Sequence, residues 1–305
     1  AIHAEGCAAS LQIGHCGRFS DPRVIGGRAL APSPVFCLFR LSVPRGMQAA
    51  DLARVANDFA RAATLAREAG FDAVEVHGGH GYLLSQFLSP HTNRRRDDLG
   101  GGQAARTRWP AEVVARVRDA AGPDMAVLVK TNVTDGFAGG ITADDALFAA
   151  RAFREAGADA IVTSGGFTSR TPFHMLRGEV PVRRMVRNEP SPVRRMGLAL
   201  FGRAIVRAYP FTPTFYLAQG TAIARDLDVP TVLVGGVRGL DDIARARAAG
   251  FAFVQMGRAT LRDPDFPARM ARGEVDESDC DHCNRCVAAM DAGGVHCVTR
   301  VEDDR

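Results

Sequence analysis

One recurring unit constrains this chain more than any other feature: an Ala- and Arg-rich helix end, a glycine, two or three residues, then an aliphatic run. It appears as Arg67-Glu68-Ala69-Gly70 before Ala73-Val74-Glu75-Val76, and as Ala120-Ala121-Gly122 before Ala126-Val127-Leu128-Val129. It returns as Arg154-Glu155-Ala156-Gly157 before Ala160-Ile161-Val162, and as Ala248-Ala249-Gly250 before Phe253-Val254-Gln255-Met256. A variant without glycine, Asp226-Leu227-Asp228-Val229-Pro230, leads into Thr231-Val232-Leu233-Val234. Glycine just past a helix end supplies a left-handed cap. Near-continuous apolar runs mark strands buried on both faces, as in parallel sheets.

Between these strands the helices are readable. Thr142 is an N-cap with Asp144 and Asp145 in the first turn, and residues 50–69 and 104–121 carry apolar stripes. Ser10-Leu11-Gln12-Ile13 makes a sixth strand. Alternating strands and helices with right-handed crossovers leave an open doubly wound sheet or a closed (β/α)₈ TIM barrel. A whole barrel takes ~250 residues, or roughly 30 per unit. The expectation is an α/β fold: an incomplete (β/α)₈ barrel over residues 1–270, holding strands three to eight with the first two absent. Residues 164–217 form a long Arg- and Pro-containing excursion on the barrel's catalytic side. Residues 271–305 form a Cys-rich tail with little periodicity.

Composition narrows the class. Hydrophobic residues make up 46% and charged residues 24% of the 305, which excludes a disordered or fibrous chain. The net charge, 38 − 34 = +4, is too small and dispersed to imply nucleic acid. No apolar run approaches the ~18 residues of a membrane span, and the first residues show no secretory pattern. The absent initiator Met suggests a fragment or processed product. Seven cysteines, four of them at Cys280, Cys283, Cys286 and Cys297, do not suggest a disulfide framework. A cytoplasmic protein with one metal site fits better.

Ligands of such sheets gather at strand C-terminal ends. There the sequence places Gln12 to Arg18, then His77-Gly78-Gly79-His80-Gly81-Tyr82, Lys130-Thr131-Asn132, Ser164-Gly165-Gly166, Gly235-Gly236 and Gly257-Arg258. Gly235, Gly236 and Gly257 allow close backbone approach to a phosphate, and Arg258 adds a guanidinium fork; the plain alternative is tight turns. His77 and His80 could bind metal, share acid–base duty, donate hydrogen bonds to a substrate oxygen, or simply cap the strand. Tyr82 could deliver a proton. Lys130 ends an apolar strand, where a cation needs an anion, such as an anionic cofactor ring, unless it snorkels to the surface.

The run Gly70 to Pro90, continuing through Thr92-Asn93-Arg94-Arg95, resembles the old yellow enzyme family of NADH:flavin oxidoreductases, FMN-containing (β/α)₈ barrels. Gln12 to Arg18, and Val254 to Arg258 followed by Asp263-Pro264, agree in order. The resemblance implies that Gln12 bonds the flavin pyrimidine edge and that Lys130 sits near flavin N1 and O2. It implies a phosphate held by Gly236, Gly257 and Arg258, and a substrate oxygen bound by His77 and His80, with Tyr82 positioning or protonating the substrate. The implied reaction takes electrons from NADH or NADPH and passes hydride to an electrophilic, enone-type alkene. The cysteine spacing resembles the 4Fe–4S ligands of the dienoyl-CoA reductase branch with one residue fewer between the second and third. Zinc or 4Fe–4S would suit four thiolates, and four free thiols are the alternative. The His pair resembles the simple ene-reductases. Competing readings are a flavin-free isomerase or aldolase binding a phosphorylated substrate, and a truncated binding module. A homo-oligomer is left open.

Overall fold

The computed structural model describes residues 1–290 and 294–303. Eight strands run in chain order: β1 (Ser10–Ile13), β2 (Leu30–Ala31), β3 (Arg45–Gly46), β4 (Ala73–Gly78), β5 (Ala126–Asn132), β6 (Ala160–Ser164), β7 (Thr231–Val234) and β8 (Phe253–Gln255). Six of them form one sheet in the order β1-β4-β5-β6-β7-β8, every pairing parallel. The sheet curls into a half-barrel, the incomplete barrel that the repeating unit implied. β2 and β3 make a separate small ribbon.

Each parallel step needs a crossover, and helices supply them: Ala49–Glu68, Gln103–Ala121, Ala143–Glu155, Leu217–Asp226 and Leu240–Ala248. Their apolar faces pack on the strands. Val55, Ala56, Phe59 and Ala63 of the first helix are buried with Val74 and Val76 of β4 and Val127 and Val129 of β5. Gly70 and Gly157 do adopt left-handed backbone, at φ +83° and +96°, each turning the chain from helix toward strand. Thr142 closes a full capping box: its hydroxyl accepts from the Asp145 amide, and the Asp145 carboxylate accepts from the Thr142 amide.

The excursion after β6 contains a 3₁₀ turn, Pro172–His174, and two α-helices, Val182–Asn188 and Pro192–Ile205. The tail returns to the barrel, with Leu240 N–H bonded to Asp276 O (3.0 Å) and Ser278 N–H to Arg238 O (2.9 Å). It holds two short helices, Arg285–Ala289 and Val298–Asp303, in a stretch that reads as aperiodic. Helices of one or two turns are too short to show a period in sequence. The sequence reads Gly293-Gly294 as a turn that returns Cys297 toward the other three cysteines, and Gly293 lies outside the described residues. No helix among the described residues is long and apolar enough to cross a membrane.

Candidate active site

Strand register builds one end of the site. Gln12 lies opposite Glu75 in the β1–β4 pairing, and His77 opposite Lys130 in the β4–β5 pairing, so these side chains share a face. Lys130 Nζ is 2.7 Å from Glu75 Oε1, and the Gln12 amide donates to the same oxygen. Lys130 and Glu75 are 8% and 6% exposed, so the cation that ends the apolar strand is buried and paired rather than snorkelling. Its anion is a carboxylate of the next strand. Glu75 carried no role in the sequence reading, although a lone acid inside Ala73-Val74-Glu75-Val76 was the visible sign of it.

His77 and His80 sit just beyond, ring centroids 5.0 Å apart. His80 takes φ +59°, secured by its amide on Asn132 Oδ1 (3.0 Å) and by its ring Nε2 against Ser164 Oγ (2.7 Å). His77 Nδ1 is buried without any hydrogen-bond partner, a vacant polar atom that calls for a ligand or water. Burial, and secondarily the Lys130 charge, hold the His77 pKa at about 4. Burial and then the His77 and Lys130 charges push His80 well below the ordinary imidazole range. Both rings are therefore neutral near pH 7 and act as hydrogen-bonding groups, not as cations. The Tyr82 ring is 5.0 Å from His77, and burial raises its phenol pKa, keeping the proton available. Phe19 and Phe167 wall this corner. Gly81, at φ +77°, leaves no room for a side chain, because a Cβ would lie 2.7 Å from the Phe167 ring.

The other end lies past β7 and β8. Gly235 and Gly236 have left-handed backbone and lie under Phe215, and Thr214 N–H bonds Gly236 O at 3.0 Å. Gly257 precedes the helix Arg258–Arg262. Arg258 donates to the carbonyls of Leu176 and Arg177 (2.9 Å) and to Asn284 Oδ1 (2.6 Å). Cys280, Cys283, Cys286 and Cys297 line one cavity of ≈ 220 Å³ together with Arg258. Among the described residues no set of three or more His, Cys, Asp or Glu stands at metal-holding distances. Burial raises the Cys280 and Cys286 thiols and lifts Cys283 to about 11.

Residues 1–170 match the NADH:flavin oxidoreductase / NADH oxidase family. The chain belongs to that family. The chain is 39% identical over 301 residues to a 4,4′-dithiodibutanoate disulfide reductase of Rhodococcus erythropolis, covering 98% of this chain and 74% of that one. It is 31% identical over 287 residues to an NADH oxidase of Thermoanaerobacter brockii, covering 93% of this chain and 39% of the relative. The chain thus spans three quarters of one relative and about two fifths of the other. Among solved structures, a 2-naphthoyl-CoA reductase complex aligns with TM-score 0.76 at 21% identity, over 96% of this chain and 42% of that one. An old yellow enzyme homologue from Zymomonas mobilis aligns with TM-score 0.63 at 21% identity, over 91% and 70%. These distant likenesses concern the fold, and they agree with an old yellow enzyme half-barrel.

Proposed function

We propose that this oxidoreductase holds FMN between its two site ends, takes electrons from NADH or NADPH, and reduces an activated, enone-type alkene. One observation carries the reading: two neutral imidazoles, one with an unpartnered nitrogen, stand beside a buried Lys130–Glu75 pair whose carboxylate also accepts from the exposed Gln12 amide. Lys130 and Gln12 lie on one face where a flavin ring edge would meet them, both held on the Glu75 carboxylate, so the Lys130 charge is already paired there. At the phosphate end, Arg258 supplies a guanidinium and Gly257 an open backbone, whereas Gly236 packs against Phe215 with its carbonyl bonded to the Thr214 N–H. No G-x-G-x-x-G turn follows a strand, which favours FMN over FAD. When bound, FMN supplies the hydride acceptor and donor. His77 and His80 donate hydrogen bonds to the substrate oxygen, polarising the alkene, and Tyr82 holds a proton beside them.

We also weigh a single 4Fe–4S or zinc centre on Cys280, Cys283, Cys286 and Cys297: the four share one cavity but do not stand at metal-holding distances, so such a centre would have to draw the thiolates together. Elemental analysis after anaerobic purification should give about four irons or about one zinc per chain; trace metal with all four tail thiols titratable would remove that centre.

Mass spectrometry of the released chromophore should find FMN, and FAD alone or no flavin would refute the cofactor. With FMN bound, His77→Ala and His80→Ala should each slow reoxidation of the reduced flavin by an enone by ~10²–10³-fold without releasing it. Unchanged rates in both variants would remove the substrate role. A disulfide acceptor belongs in the same assay, since one relative bears the name of a disulfide reductase.

A further inference from the structure

We infer that Asn284, between the second and third clustered cysteines, positions Arg258 and thereby fixes the phosphate end of the flavin site. The inference rests on the flavin reading above. Arg258 Nη1 donates to Asn284 Oδ1 (2.6 Å) and Arg177 O (2.9 Å), and Nη2 donates to Leu176 O. All three acceptors are neutral oxygens, and burial works against the guanidinium charge. Among the described residues the Arg258 guanidinium hydrogen-bonds only neutral oxygens, so its charge remains for an anion in the space it borders, which it shares with the four cysteines.

Asn284 is 1% exposed, and its amide is fully engaged. Its oxygen takes the Arg258 bond, and its Nδ2 donates to Arg177 O (3.2 Å) and Glu179 O (2.8 Å). The backbone holds the left-handed conformation at φ +54°, which Asn tolerates better than most side chains. Its neighbour His282 reinforces the clasp: its carbonyl accepts from Glu179 N–H (3.1 Å) and its ring stacks on Phe211 at 3.5 Å. One amide therefore joins three elements: the cysteine loop, the excursion after β6, and the arginine after β8. Whatever moves the cysteine loop also moves the arginine.

The test is fluorescence titration of the full chain, freed of flavin, with FMN and with riboflavin, which lacks the phosphate. The wild type should prefer FMN. Asn284→Ala should weaken FMN by roughly 10- to 100-fold, the value of a charge-assisted contact, and leave riboflavin unchanged. Arg258→Gln should do the same, and the double variant should lose no more than Arg258→Gln alone. If Asn284→Ala fails to fold, Asn284→Asp serves, because a carboxylate on Arg258 should cancel its charge and again weaken FMN selectively. Equal losses for both flavins, no loss for FMN, or additive losses in the double variant would each overturn the inference. A wild type that binds neither flavin would instead fail the flavin reading, and the inference with it.

Discussion

At the scale of single residues, Glu75 organises the end of the candidate site where β1, β4 and β5 meet. Its carboxylate meets a buried ammonium and an amide from the two flanking strands. Removing one partner of such a buried pair leaves the other charge unpaired, at a cost of about 3–5 kcal/mol. Glu75→Gln should lower unfolding stability by about that amount, while Glu75→Gln combined with Lys130→Met should recover most of it in chemical denaturation. Equal losses in the two proteins would show that the pair is not coupled. His77 and Lys130 near the ends of β4 and β5, and His80 and Tyr82 in the loop just past β4, stood out because polar side chains there follow apolar runs. Glu75 was missed because it sits mid-strand, where only its partner across the register explains it. Asn284 gave no sign at all, since its role depends on the path of a loop one hundred residues away.

At the scale of elements, the legible parts were those with period. The six sheet strands and the crossover helices follow from alternating apolar runs, glycine caps and the Thr142 box. The excursion and the tail were not legible as helices, because their segments are short, Arg-rich and held by contacts distant in sequence. Asn188 Nδ2, for instance, reaches Ala288 O at 2.6 Å. The capping box gives a direct check. Thr142→Ala removes one hydroxyl acceptor from the start of helix Ala143–Glu155 and should cost about 1 kcal/mol, read from the denaturation midpoint; Thr142→Ser should cost far less. Equal effects from the two would mean that the hydroxyl is not the operative group.

At the scale of the whole molecule, buried imidazoles tie stability to pH. His77 and His174 are held at about 4, chiefly by burial, and His80 lies well below the usual value. In the unfolded chain these rings titrate near 6.5. Between about pH 6.5 and 4 the unfolded chain therefore binds protons that the folded one refuses. Stability should be fully present above about pH 6.5 and should fall as pH drops toward 4, by about 1.4 kcal/mol per pH unit for each such proton. Denaturation midpoints at pH 7.5, 6 and 5 check the sign, and a midpoint that rises on acidification would contradict it.

The sheet has direction as well as curvature. β1 and β8 are its two margins, and alternate residues on both are exposed where the inner strands are buried. In a parallel sheet the two margins are unlike and mutually complementary, so the margin of one molecule offers a template for the opposite margin of another. A contact of that kind is head-to-tail: it repeats without using itself up and closes only if its rotation brings it back to the start. Along β8 that margin is also apolar, with Phe253 61% exposed.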